Sequence, residues 1–445
     1  MKILCVSLGC DKNLVDTEMM LGLLHRDGYT FTDDEREADI IVVNTCCFIN
    51  DAKEESVNTI LEMAELKKTG KLKALIVTGC MAERYRQEIM EEIPEVDGIL
   101  GTSTYDEISD VLKRVLGGES VSCFHDLNAL PEVETERMIT TGGHYAFLKI
   151  AEGCDKRCTY CIIPRLRGSY RSVPMERLLK EARQLAEKGV RELILVAQET
   201  TLYGVDLYGK KMLPELLHEL AQISGIYWIR IQYCYPEEIT DELIAAVKNE
   251  EKVCHYLDIP IQHASDRILK RMGRRTTEAQ LRGMIGKLRL EIPDIALRTT
   301  LISGFPGETD EDHEELMRFV DEMEFERLGV FAYSAEEDTP AADFPDQVPD
   351  QVKEARRDEI MELQQEIAFE KSASMVGRVL DVMIEGKVAD EPAYVGRTYM
   401  DAPGVDGYIF VNSGELFMSG DFVRVKVTGS NEYDLIGEVY DESAE

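Results

Sequence analysis

The sequence predicts an α/β protein in three parts: an N-terminal doubly wound parallel sheet, a central partial (βα)6 barrel open on one side, and a small C-terminal antiparallel β-barrel. Three observations predict it. Short β-branched runs without polar alternation, the pattern of strands buried on both faces, alternate with helical stretches from the start of the chain. The alternation begins afresh at Tyr145 and runs through six strands. After Gly377 the texture changes to short alternating runs broken by glycines. The expected divisions are 1–125, a linker over 126–143, 144–371 and 372–445, and 445 residues give ample length for real cores.

In the first part, strands are expected over 3–8, 40–43 and 74–77. One helix is expected over 16–26, ending at Gly28. Another begins near Asn50, places Val57, Ile60, Leu61 and Ala64 on one face, and stops at Gly70. Cys10, Cys46 and Cys80 each follow a strand by one to three residues. Open parallel sheets bind ligands beyond the carboxyl ends of their strands. Three thiolates delivered to one edge would make a site one ligand short of a complete set. Cys5 lies inside the first strand, Cys47 should point away from Cys46, and Cys123, Cys234 and Cys254 lack a partner in sequence, so these five read as structural.

The linker is rich in Glu and Thr and ends in Gly142-Gly143. A strand over 145–150 then leads into Gly153-Cys154-Asp155-Lys156-Arg157-Cys158-Thr159-Tyr160-Cys161. Thiolates spaced C-x3-C-x2-C are soft ligands suited to an iron–sulfur cluster. Three of them hold three corners of a 4Fe-4S cube and leave one iron open to a substrate or cofactor. Zinc is the competing reading, although the usual paired C-x2-C spacing and a fourth ligand are missing. The further strands of this part are expected over 192–197, 227–232, 256–261, 296–302 and 328–333, with a helix over 175–188. Beyond their carboxyl ends fall Gln198-Glu199, His263 and Gly304-Phe305-Pro306-Gly307. A long helix over 351–373 precedes barrel strands at 379–384, 408–411, 422–427 and 435–439.

Eleven cysteines is an odd count, and they sit singly or in ligand-like spacing, which reads as a reducing cytoplasm and not a disulfide framework. The apolar start is too short for a secretory core and no stretch approaches a membrane span, so a cytosolic protein without a membrane is expected. The net charge of −35 fits a solvated surface or a basic partner and disfavours a naked nucleic-acid duplex.

The cluster loop is similar to the radical S-adenosylmethionine signature, and nearly the whole chain resembles the methylthiotransferase family, with its three-cysteine domain, radical core and C-terminal TRAM barrel. Ser7-Leu8-Gly9-Cys10-Asp11-Lys12-Asn13 and Ala197-Gln198-Glu199-Thr200-Thr201-Leu202-Tyr203-Gly204 are similar to the RimO-type members, which modify ribosomal protein S-twelve. The tRNA-modifying relatives usually carry Met at the position of Lys12 and Gln-Asn-Val-Asn at the second stretch. Glu199 departs from the more usual Asp and keeps the carboxylate.

The resemblance implies two 4Fe-4S clusters and two molecules of S-adenosylmethionine. The cluster on Cys154, Cys158 and Cys161 would cleave one of them to a 5'-deoxyadenosyl radical. The cluster on Cys10, Cys46 and Cys80 would hold a sulfur that the other methylates. The radical would take hydrogen from the β-carbon of a substrate aspartate, a C–H bond not acidic enough for a side-chain base, and the methylthio group would follow. Gln198 and Gly304 are implied at the cofactor, Gly304 alternatively as a turn glycine. Tyr160 either lines the adenine or packs, and His263 is more often structural than a ligand. Arg165, Arg167 and Arg171 either hold a carboxylate or stay solvated. The implied partners are ribosomal protein S-twelve, an electron donor of the reduced flavodoxin or ferredoxin type, and a sulfur donor. Residues 372–445 hold five Lys and Arg against fourteen Asp and Glu, which disfavours tRNA. The alternatives are a tRNA adenosine methylthiotransferase and, more remotely, a non-catalytic iron–sulfur carrier or RNA-binding protein.

Overall fold

The computed structural model describes residues 1–69, 71–131 and 136–441, without the side chain of Thr69. Its first sheet holds six parallel strands: β1 (Lys2–Ser7), β2 (Thr30–Phe31), β3 (Ile40–Thr45), β4 (Ala74–Gly79), β5 (Gly98–Leu100) and β6 (Val121–Cys123). They run in the order β2-β1-β3-β4-β5-β6. Every residue of β3 and β4 is buried, as unalternating runs require. Strands β5 and β6 are three residues each, too short to leave a pattern in the sequence. The order reverses between β1 and β3, and a crevice opens at such a switch point beyond the carboxyl ends.

Helix α1 spans Asp11–Arg26, five residues longer at its start than the periodicity suggests. The helix Asn50–Thr69 corrects the expected face, because Val57 and Leu61 are exposed while Ser56, Ile60, Met63 and Ala64 are buried. The cause is polar: the Ser56 hydroxyl accepts from the Cys46 N–H at 3.0 Å and donates to the Cys46 carbonyl at 2.8 Å, which fixes the helix's rotation. The expected stop at Gly70 and residues 132–135 of the expected linker lie outside the described residues.

The second sheet begins at β7 (Tyr145–Lys149), and two short strands, β8 (Ala151–Glu152) and β9 (Arg171–Ser172), pair beside the cluster loop. Strands β10 (Glu192–Val196), β11 (Trp228–Ile231), β12 (Val253–Asp258), β13 (Ala296–Ser303) and β14 (Arg327–Ala332) complete the order β14-β13-β12-β11-β10-β7, all parallel. The terminal strands β7 and β14 do not pair, so the barrel stays open. Ala146, Leu148, Leu193 and Leu195 face outward and pack with Leu178, Ala182 and Leu185 of the helix Met175–Glu187. The concave face carries Phe147, Ile194 and Val196, and α1 seats Val15 against them. An element of the first domain thus fills the hollow of the second.

The helix Asp350–Ser374 leads to a closed barrel of β15 (Val379–Lys387), β16 (Ala393–Arg397), β17 (Ile409–Asn412), β18 (Phe422–Asn431) and β19 (Asp434–Val439). Four of its pairings are antiparallel and β17–β19 is parallel. Its core is continuous with Trp228, Cys254 and Ala296 at the starts of their strands and with Tyr256 midway along β12. There the buried Glu192 accepts from Arg230 and from Arg397 of the barrel, each at 2.7 Å. The barrel therefore closes the end of the sheet opposite its carboxyl edge.

Candidate functional site

Neighbouring strands β1, β3 and β4 deliver Cys10, Cys46 and Cys80 to one edge, Cys46 and Cys80 immediately after their strands and Cys10 as the residue that opens α1. Gly9 sits at φ +85°, and a Cβ there would stand 2.6 Å from Cys46 Cβ and 2.8 Å from its Sγ. Only glycine lets the two cysteines approach this closely. Asn13, one turn into α1, ties the three loops together. Its Nδ2 donates to the carbonyls of Leu8 at 2.9 Å and Thr45 at 3.0 Å, and Cys80 Sγ lies 3.9 Å from its Oδ1. Burial pushes the thiols of Cys46 and Cys80 up, so both favour the protonated form until a cation replaces the proton.

The second trio is held by backbone. Gly153 sits at φ +75° with a Cβ position that the Ser169 carbonyl already fills, and Cys154 N–H donates to Gly168 O at 3.2 Å. Thr159 N–H donates to Met272 O at 2.9 Å and its carbonyl accepts from Ala341 N–H at 2.9 Å. Burial raises the Cys154 thiol to about 12 and Cys161 further. Around the loop stand Tyr235, whose hydroxyl is 3.2 Å from Cys158 Sγ, and Arg274, stacked 4.2 Å over the Tyr235 ring. Lys156 pairs with Glu238 at 2.5 Å.

Buried charges couple the two trios. Asp16 of α1 and Glu152 of β8 share Lys149 and Arg167; Arg167 reaches Asp16 at 2.8 Å and Glu152 at 3.2 Å, and also donates to Asn13 Oδ1. Lys149 and Arg167 hold the Glu152 carboxyl down, to about 2, against the opposing pull of burial. At the other edge of the open sheet, Lys53 and Arg84 pair with Glu336 at 2.5 and 3.2 Å. The first domain is clamped to both edges, with Val15 of α1 on the concave face and Lys12, two residues after Cys10, over the Tyr233 ring.

The arginines expected near a carboxylate resolve differently. Arg167 is spent on Asp16 and Glu152, Arg165 is exposed and pairs with Asp338 at 3.2 Å, and Arg171 donates to the Arg167 and Ser169 carbonyls. Tyr160 packs edge-on against Phe305, ring centroids 6.4 Å apart, within a small apolar cluster. Gly304 donates its N–H to Glu308 at 2.8 Å and lies against Lys353, which is turn geometry. His263 is fully buried, accepts from Ser265 N–H at 2.9 Å and keeps Nε2 3.5 Å from Glu308, where burial opposes but His263 and Arg356 win in lowering the Glu308 carboxyl. Gln198 and Glu199 follow β10, and burial raises the Glu199 carboxyl to about 7.

Among the described residues Gln198 Oε1, Gln232 Oε1, Glu199 Oε2 and Glu237 Oε2 are buried acceptors without a donor, all beyond the carboxyl ends of β10 and β11. Unmet buried acceptors of this kind ask for a ligand rich in donors. S-adenosylmethionine offers an ammonium, ribose hydroxyls and an adenine amino group, so the set fits it. Tyr233, Tyr235, Lys156 and Arg274 were not singled out by sequence reasoning; the rule that chemistry lies beyond strand ends points at residues 232–235. Tyr233 and Gln262, at φ +60° and +72°, hold strained backbone at this same edge.

Among the described residues, Glu107, Cys123 and His125 alone bring three ligand atoms within 4.8 Å of one another. A tetrahedral zinc holds its sulfurs about 3.8 Å apart. Neither cysteine trio brings its three sulfurs within 4.8 Å of one another, wider than one tetrahedral zinc holds them. All eleven cysteines are free of disulfides.

Residues 148–320 match the Radical SAM superfamily, 376–439 the TRAM domain, and 2–101 the uncharacterized protein family UPF0004. Among solved structures, the fold is similar to the radical S-adenosylmethionine methyltransferase TsrM from Kitasatospora setae, with a TM-score of 0.53 at 14% identity over 74% of this chain and 72% of that one. It is also similar to the cobalamin-dependent radical enzyme OxsB, with a TM-score of 0.51 at 15% identity over 83% of this chain and 56% of that one. An open parallel sheet with a three-thiol loop at its carboxyl edge is the architecture of a radical S-adenosylmethionine enzyme, here joined to a second three-thiol domain. Full-length relatives narrow the class. The chain is 68% identical to the ribosomal protein uS12 methylthiotransferase RimO of Lachnoclostridium phytofermentans, over 98% of this chain and 99% of the relative. It is 52% identical to that of Acetivibrio thermocellus over 100% and 99%, and 50% identical to that of Clostridioides difficile over 100% of both. The chain belongs to the RimO family of methylthiotransferases.

Proposed function

We propose that this chain transfers a methylthio group to the β-carbon of an aspartate in ribosomal protein uS12, with one 4Fe-4S cluster on Cys154, Cys158 and Cys161 and a second on Cys10, Cys46 and Cys80. The observation that carries this reading is the seating of α1, the helix that Cys10 opens, in the concave face of the sheet whose first strand leads to Cys154, Cys158 and Cys161. When bound, the clusters and S-adenosylmethionine supply one-electron chemistry able to reach an unactivated C–H bond, and the sulfur to be transferred. Gln198, Gln232 and the Glu199 and Glu237 carboxyls would receive the cofactor's donors, and Tyr235 and Arg274 flank the cysteine loop. Asn13 and Arg167 hold the N-terminal trio in register with that loop. The closed barrel, shut against the strand starts, leaves the carboxyl edge as the approach for substrate.

The acidic surface favours a basic ribosomal protein over a polyanion. Such a substrate places the chain in the cytoplasm, and the chemistry calls for a low-potential donor of the flavodoxin or ferredoxin type and a source of sulfur. Mass spectrometry of uS12 and of tRNA from cells with and without this chain tests the reading. A methylthio group on a uS12 aspartate that disappears with the chain is expected; a methylthioadenosine that disappears while uS12 is unmodified overturns it.

A further inference from the structure

Among the described residues, every buried lysine and arginine has a carboxylate partner except two. Lys149 pairs with Asp16 and Glu152, Lys353 with Asp350, Arg137 with Glu18, Arg167 with Asp16, Arg230 and Arg397 with Glu192, and Arg356 with Glu308. The exceptions are Lys12 and Arg274, and each stands beside one cysteine trio. Arg274 is occupied, donating to the Pro260 carbonyl at 2.8 Å and stacking on Tyr235. Lys12 is 5% exposed, and no carboxylate of the described residues comes within ion-pair distance of it. Its ammonium lies 3.4 Å from the centroid of the Tyr233 ring, two residues from Cys10. Neighbouring Asp11 and Cys10 are near enough to favour its charged form but neither closes on it, and the Asp11 carboxylate accepts from the Tyr233 hydroxyl at 3.5 Å instead.

The ring is set there at a cost. Tyr233 takes φ +60°, a conformation bulky residues avoid, and is fixed by its N–H to Asp258 Oδ2 at 3.1 Å and by its carbonyl to Thr200 N–H at 3.1 Å. A ring face satisfies an ammonium only in part, since the group carries three donors and a full charge. Buried cations are ordinarily paired, and an unpaired one at a concave edge is placed for an anion that arrives later.

We propose that Lys12 binds the side-chain carboxylate of the acceptor residue, and so selects an acidic side chain beside the N-terminal trio. This rests on the proposed transfer to an aspartate. The carboxylate would accept charge-assisted hydrogen bonds from the ammonium, which holds the acceptor's adjacent carbon at the edge where Cys10 stands. Lys12 acts by holding substrate and takes no part in bond making.

The test is a binding cycle on anaerobically reconstituted full-length protein. Wild type and Lys12→Met are titrated with purified uS12 and with uS12 whose acceptor aspartate is changed to asparagine. Lys12→Met should bind the aspartate protein about thirty-fold more weakly, about 2 kcal/mol. The two enzymes should bind the asparagine protein alike, and Lys12→Arg should restore part of the preference for aspartate. Equal losses against both substrates, or no loss, overturn the proposal. So does a shift in the reduction potential of the N-terminal cluster with aspartate preference intact, which would make Lys12 a counter-charge to the cluster. Should Lys12→Met fail to take up iron, the aspartate-to-asparagine ratio of Lys12→Gln decides in its place. Failure of wild type to modify uS12 at all would instead sink the proposed transfer, and is read separately by mass spectrometry.

Discussion

Cys154, Cys158 and Cys161 lie on a single loop of eight residues, whereas Cys10, Cys46 and Cys80 are drawn from the ends of three strands. The local trio is shaped by backbone: Gly153, the Thr159 bonds to Met272 and Ala341, and the short β8–β9 pair. The assembled trio is shaped by side chains from elsewhere, above all Asn13, Ser56 and Arg167. A loop site survives small shifts between domains because its ligands move together. A site collected from separate strands depends on every contact that keeps those strands and α1 in register. The second trio should therefore be robust, and the first sensitive to changes far from any sulfur.

The largest expected effect divides the two sites outright. Replacing Cys154, Cys158 and Cys161 with Ala should reduce 5'-deoxyadenosine formation to background. Replacing Cys10, Cys46 and Cys80 should remove about half the iron while cleavage stays measurable. Loss of cleavage with a full iron complement in the second variant would reverse the assignment.

Arg167→Met probes the coupling. It leaves Asp16 and Glu152 with Lys149 alone, and breaking a buried pair of this kind costs about 3–5 kcal/mol. Thermal unfolding should show the loss, and iron should leave the N-terminal trio first. Equal loss from both trios would show that the loop site is no more autonomous than the assembled one.

Gly9→Ala is a smaller and more local disturbance. The added Cβ meets Cys46, so the N-terminal cluster should load poorly while cleavage at the other trio persists, by iron analysis and 5'-deoxyadenosine assay. A variant that loads both clusters normally would show the assembled site to be more pliable than its geometry suggests.

The smallest effect concerns pH. Glu199 has its carboxyl raised from 4.5 to about 7 by burial. Between those values the folded state holds a proton that the unfolded state has lost, so its contribution weakens stability as pH rises and is complete above 7. Glu199→Gln should raise the melting temperature of cluster-free protein at pH 8, by an amount on the order of 3 kcal/mol in stability. That advantage should vanish below pH 4. An equal advantage at both pH values would mean that burial does not raise the Glu199 carboxyl.

The loop trio was visible in the sequence because its three cysteines share one segment, and C-x3-C-x2-C states both donor type and spacing. The assembled trio was legible only through the strands: three buried β-branched runs each ending just before a cysteine placed Cys10, Cys46 and Cys80 on one edge. The helix Asn50–Thr69 shows where that reasoning stops. Apolar spacing suggested Val57, Ile60, Leu61 and Ala64 as its buried face; Ile60 and Ala64 are buried, but the hydrogen bonds of Ser56 to Cys46 turned Val57 and Leu61 outward. Periodicity counts apolar area, and two buried hydrogen bonds outweigh the exposure of two aliphatic side chains. Arg165, Arg167 and Arg171 show it again, since charge in a sequence does not say which carboxylates will be near.

By itself, then, the sequence determined the three-part α/β architecture and the alternation that sets two cysteine trios at carboxyl edges, because strand burial and residue spacing are properties of neighbouring residues. Only the tertiary structure decided that α1 fills the hollow of the second sheet, that Arg167 serves Asp16 and Glu152, and that Lys12 alone among the described buried lysines has no carboxylate within ion-pair distance. These depend on which distant groups share a dry interior, and there the strength of a charge is set by what surrounds it and not by its place in the chain.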